Sequence, residues 1–129
     1  MDYRTITDTS SEQYAIQQNA WTDSHGLRRS CDDYLVAMGT GWLTEGCGDR
    51  FQVTLESGSV FTVRVGDIKA DQHTDSTHRY RSCADGANVL EFIVETESLS
   101  DAARTAGTVS VYPELSGNIA AIEPISTAQ

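Results

Sequence analysis

The chain has 129 residues, with nine Lys plus Arg against 19 Asp plus Glu and a formal charge of -10. That length suits one domain around a single core, and an apolar content of 39% is ordinary for a globular chain. The acidic balance argues against nucleic acid and against an anionic membrane surface, since both need a basic footprint; neutral or cationic glycans stay open.

No apolar run approaches the length that spans a bilayer, and Met1-Asp2-Tyr3-Arg4 opens no signal peptide. Three routes remain: the chain stays in the cell that made it, leaves by another path, or was trimmed from a longer protein. Cys31, Cys47 and Cys83 show no CxxC spacing, so small buried or half-buried thiols are expected, with at most one disulfide and no bridging metal.

Residues 1–9 read as a frayed terminus. Thr9 and Ser10 stand before Glu12 and Gln13 at capping-box spacing, which predicts a short helix through Gln18. Asn19 to Asp33 reads as loop, with a turn at Ser24-His25-Gly26. Residues 1–33 therefore form an extension ahead of a β domain spanning 34–129.

Tyr34 to Met38 is a short apolar run that suits a buried strand, stopped by Gly39-Thr40-Gly41. Arg50 to Glu56 alternates, with Phe51, Val53 and Leu55 on one face. Ser57-Gly58 turns the chain, and the return strand carries Phe61, Val63 and Val65 before ending at Gly66. Val89 to Val94 reads as one strand, Glu97 to Arg104 as a brief helix, and Thr108 to Tyr112 and Asn118 to Ile122 as two more strands. Six short strands with turns between them predict an all-β fold, a small six-stranded closed barrel rather than a sandwich.

Between the hairpin and residue 89 lies a stretch almost without apolar residues, Gly66 to Tyr80, holding Asp67, Lys69, Asp71, His73, Asp75, His78 and Arg79. A polar loop between two buried strands is a natural place for a site. Asp71-x-His73-x-Asp75 could point three ligands one way in an extended chain, but without a second histidine at a standard spacing no metal or other cofactor is expected. Glu91 is the other outlier, a carboxylate among Val89, Leu90, Phe92, Ile93 and Val94. Such a group must be paired, hydrogen-bonded or set at an opening, and desolvation would raise its pKa toward that of a working general acid. A glutamate on the exposed side of an edge strand is the plainer alternative.

Four stretches in order carry a resemblance: Leu35-Val36-Ala37-Met38-Gly39, Gly48-Asp49-Arg50-Phe51-Gln52-Val53, Val65-Gly66-Asp67-Ile68-Lys69, and Leu90-Glu91-Phe92-Ile93-Val94. Together they resemble the 3D (three-aspartate) domain, a double-psi β-barrel of bacterial and phage cell-wall proteins that include lytic transglycosylases. Of the three family aspartates, the first falls at Gly39, the second matches Asp67, and the third is replaced by Glu91. The glycines usual after the second aspartate are absent. The resemblance implies a peptidoglycan glycan strand as partner and a single carboxylic acid protonating the glycosidic oxygen while the sugar's 6-hydroxyl attacks. Glu91 would be that acid, Asp67 would set its pKa from close by at one mouth of the barrel, and Lys69, Asp71, His73, Asp75 and His78 would contact sugar. The missing first aspartate leaves a second expectation standing, a wall-binding or phage-structural module that kept the barrel without the reaction. Oligomeric state is not legible in the sequence.

Overall fold

The computed structural model describes residues 1–74, 76–79, 81–82 and 88–125, the side chains of 81, 82, 88 and 89 excepted. In chain order the elements are α1 (Glu12–Gln18), β1 (Trp21–Thr22), β2 (Arg28–Ser30), β3 (Asp33–Gly39), β4 (Arg50–Leu55), β5 (Val60–Lys69), β6 (Arg81–Ser82), β7 (Asn88–Val89), β8 (Glu91–Phe92), α2 (Asp101–Ala106) and β9 (Ile119–Ile125). Seven strands form one sheet in the order β1-β2-β3-β5-β4-β9, with β8 also paired to β3, while β6 and β7 pair with each other. The protein is mostly sheet with little helix, as the strand patterns predict.

The sheet is open, not the closed barrel expected. Two segments account for this. Val89 to Val94 breaks into β7 and β8, which have different partners. Thr108 to Tyr112 is no strand but a 3₁₀ turn, Val109–Val111. Tyr112 and Leu115, both buried, lie three residues apart, a spacing that suits 3₁₀ turns rather than the two-residue repeat of a strand. Neither segment reaches from the β9 edge to the other side of the sheet.

The hairpin forms as its alternation dictates. Phe51, Val53 and Leu55 of β4 and Val63 and Val65 of β5 are buried in one cluster with Val36 and Met38 of β3 and with Phe92. β3 and β5 run parallel, and β5 continues past Gly66 to Lys69. A bulge explains why the alternation seems to stop at Gly66. Val36 pairs with Val65 but Ala37 pairs with Asp67, so Gly66 is the extra residue. Paired residues share a face, and the bulge therefore turns Asp67 and Lys69 away from the core face, where an unbroken register would put Asp67 opposite Met38. A Cβ at Gly66 would lie 2.8 Å from Ile93 Cδ1, so a larger residue there requires the Ile93 side chain to move.

Residues 19–33 are not loop, because two short strands knit them to the sheet. Leu27 is fully buried in the core, and its neighbour Arg28 is buried although charged. The Arg28 guanidinium donates to Gln17 Oε1 (2.9 Å), the Gln17 carbonyl (3.0 Å) and Thr22 Oγ1 (2.9 Å), and lies over the Tyr3 ring. One side chain thus ties α1, β1 and the N-terminal turn to β2. α1 begins one residue later than its pattern suggests, with Ser11 Oγ accepting from the Tyr14 N–H as cap.

Asp33, at the start of β3, accepts from three side chains on two other strands. Its side chain is 3% exposed and accepts from Arg50 Nε (2.7 Å), Arg50 Nη2 (2.9 Å), Thr62 Oγ1 (2.7 Å) and Arg64 Nε (3.2 Å). Burial alone would raise its pKa, but the Arg50 and Thr62 hydrogen bonds and the two guanidinium charges bring it below the ordinary aspartate value. Asp33→Ala should cost about 3 kcal/mol, the low end for breaking a buried ion pair, because both arginines keep some solvent. The depressed folded-state pKa means that the contribution is whole above about pH 4 and fades as pH falls through the folded value. Urea titrations should therefore show the gap between wild type and Asp33→Ala shrinking from about pH 7 to about pH 3; an equal gap at both would refute the assignment.

Candidate functional site

Asp67 and Glu91 are both partners of Ala37, one through β5 and the other through β8. They share the face of the sheet turned away from the core cluster, with β3 between them. Two strand spacings put their Cα atoms roughly 10 Å apart, so each carboxylate meets its own surroundings. Asp67 Oδ1 accepts from its neighbouring Ile68 N–H (2.9 Å) and faces Gln13 Nε2 of α1 at 3.5 Å. α1 thus lies beside Asp67, where an open barrel mouth was expected.

Glu91 meets cations. Lys69 Nζ bridges to Glu91 Oε1, and the Met1 ammonium lies 3.3 Å from Oε2. Lys69 pairs with Gly39 and Glu91 with Ala37, so the lysine–glutamate bridge passes diagonally over the two small residues of β3. Both side chains are largely buried, at 14% and 19% exposure. Desolvation pushes the Glu91 pKa up, as the sequence suggests, but the Lys69 hydrogen bond and the two ammonium charges outweigh it and hold the carboxyl below its ordinary value. The expected raised, proton-bearing Glu91 is thereby corrected. The neighbour that sets its titration is a lysine four positions before the polar loop ends its first turn, not Asp67.

The remaining candidates gather elsewhere. Asp71 and His73 bound a 3₁₀ turn, Asp71–His73, on the protein surface. Asp71 Oδ1 accepts from Thr40 Oγ1 at 2.7 Å and lies 3.7 Å from His78 Nδ1, which is 3.4 Å from Thr74 Oγ1. His78 therefore turns its ring to Asp71 and not to Glu91. Its carbonyl does something else: it accepts from the Gly41 N–H at 2.7 Å and sits where a Cβ on Gly39 would be, 2.1 Å away. Gly39 is thus roofed by backbone, with no room for any side chain. Asp75 lies outside the described residues.

Glu91 also borders a cleft that no sequence pattern announced, about 570 Å³ between β8 and the α2 region. Phe92, Val94, Leu99, Ala103 and Val109 give it an apolar lining, with Thr96, Thr108 and Arg104 as polar groups. Its size fits a small-ligand site. Its one carboxylate is the ion-paired Glu91, so it can receive a ligand but brings no acid and base together. It is lined by β8, by the turns and helix that follow it and by Met1, a meeting of strand, turn and helix that no single periodicity reveals.

Cys31 is exposed and Cys47 half-buried, both as free thiols, and burial pushes the Cys47 thiol up to about 11, helped by Glu12, Asp67 and Asp49. Cys83 lies outside the described residues. Set against protein-family models, curated proteins and solved structures, the chain matches none.

Removing the lysine should release Glu91. In Lys69→Met the Glu91 carboxyl should titrate higher than in wild type, followed by its side-chain carbon signal in NMR, and an unmoved titration would show that the bridge does not govern it. Gly39→Ala should destabilise by about 2 kcal/mol, as overpacking against backbone does; a thermal melt unchanged from wild type would mean that the His78 carbonyl does not rest there.

Proposed function

We propose that this chain is a cell-wall-binding module without catalysis, a divergent relative of the 3D domain that kept the strand plan and lost the reaction. The observation that carries the reading is the Lys69–Glu91 bridge. A general acid must hold a proton at working pH, and a carboxylate neutralised by a buried ammonium gives that proton up. The roofed Gly39 points the same way, since the acid that the family uses there has no space. For the family relation itself, the support is the order of the four matching stretches, together with a parallel β3–β5 pair followed by a tight antiparallel hairpin partner. A double-psi arrangement is proposed on that pairing, in an opened form.

One observation favours the enzymatic alternative, a lytic transglycosylase: Glu91 does border a cleft. The two readings part in one assay. Wild-type protein mixed with insoluble murein should sediment with it and release no anhydro-sugar products detectable by mass spectrometry, and Glu91→Gln should sediment equally. Anhydro products that vanish in Glu91→Gln would establish the enzyme instead. Protein that stays in the supernatant would remove the wall-binding reading altogether.

A further inference from the structure

Trp21 occupies β1, at the edge of the sheet, and is 46% exposed. Single exposed apolar residues are common and mean little by themselves. This one is held. Its indole N–H donates to the Cys31 carbonyl at 3.0 Å. Cys31 has φ +52, a left-handed conformation that costs a non-glycine residue energy and persists where the surroundings impose it.

A ladder stands beside the ring. Trp21 pairs with Arg29 across β1–β2, and Arg29 pairs with Tyr34 across β2–β3, so the three share one face in register. The Arg29 guanidinium lies 3.8 Å from the Tyr34 centroid and 5.7 Å from that of Trp21. It is fixed in turn by Asp23 Oδ2 (3.1 Å) and the Asp32 carbonyl (2.6 Å). Tyr34 is anchored by edge contacts with Phe61 and Phe92. The exposed ring is therefore the outer end of a row rooted in the core, with its rotamer set before any ligand arrives.

We infer that Trp21 is a stacking platform for a neutral pyranose of a glycan chain. This rests on the wall-binding reading and names the part of the wall polymer that is held. An aromatic face is electron-rich and attracts the C–H groups on the flat side of a sugar. The rim at Trp21 is polar, with the exposed Asp32, whose carbonyl holds Arg29, able to meet ring hydroxyls. Other partners fit less well. A charge of -10 repels phosphodiesters and anionic lipid. A stable protein interface needs about 800 Å² on each side, whereas among the described residues the other large exposed apolar side chains, Val60 and Val111, sit on different elements. The same charge disfavours the acidic peptide stems of a wall polymer, leaving its neutral sugar backbone.

Chitotetraose, a neutral tetramer of N-acetylglucosamine, is the probe. In Trp42→Phe, Trp21 is the only indole, and its emission should shift to the blue as chitotetraose is added. Trp21→Ala should weaken chitotetraose and murein binding by roughly tenfold or more, the scale of one lost aromatic contact, while Trp21→Phe recovers part of it. Should Trp21→Ala fail to fold, the emission titration and Trp21→Phe still decide. Murein binding that survives in Trp21→Ala, or that is displaced by stem peptide and not by chitotetraose, would overturn the platform and leave the wall-binding proposal intact. Wild type that binds neither murein nor chitotetraose would overturn both.

Discussion

Two arginines face each other across the hairpin, Arg50 on β4 and Arg64 on β5, and such a like-charge pair opposes strand pairing. Asp33 resolves the conflict. It enters from a third strand, takes both guanidinium groups and Thr62 on one carboxylate, and so makes the β4–β5 hairpin depend on β3. The apolar face cannot enforce that dependence by itself, since Val and Phe side chains tolerate small slides past each other. A carboxylate between two guanidiniums does not, because any slip would leave buried charge unpaired. The parallel β3–β5 register is thus set on the polar face of the sheet, while the core on the other face supplies the bulk of the burial.

Everything at the candidate site follows from that register. Starting from Asp33, the strands march together to Val36–Val65, and the bulge at Gly66 then inserts one residue. From there Asp67 and Lys69 lie on the same face as Ala37 and Gly39, and β8 brings Glu91 to the far side of Ala37. The lysine can reach the glutamate only because the residues beneath the bridge are small. Gly39 serves twice, since its missing side chain also admits the His78 carbonyl. A single glycine therefore seats the His78 carbonyl and opens the path for the ion pair.

The hairpin, β3 and the first helix were legible because each rests on local periodicity or capping. What escaped was built from long-range pairing. β2 reads as loop because its buried residue is an arginine, whose burial depends on Gln17 and Tyr3, far away in sequence. The segment after Leu90 looks like one continuous strand, yet Phe92 pairs with Val36 while Val94 bridges to Asp2 and Leu27, so its apolar residues serve different partners in turn. At the site, Asp67, Lys69 and Glu91 stand out in the sequence as charged residues next to apolar runs. Their relation was not legible, because a one-residue bulge decides which of them share a face. Trp21 lies in a stretch that reads as loop, and its row with Arg29 and Tyr34 exists only once β1, β2 and β3 pair.

The same carboxylate faces two incompatible demands. As a structural group, Glu91 joins β8 to β5 over β3, and this works only while it is ionised and Lys69 is charged. As an acid, it would need to hold a proton in the folded protein at neutral pH, and each proton bound would weaken the bridge that positions it. Enzymes escape this by giving a catalytic acid an apolar wall or a second carboxylate for a neighbour. Here the apolar wall exists on the cleft side, but an ammonium sits on the other, and the attraction of a close opposite charge exceeds the desolvation of a half-buried group. With the lysine in place, the balance falls to the ionised form, in which Glu91 joins β8 to β5 over β3.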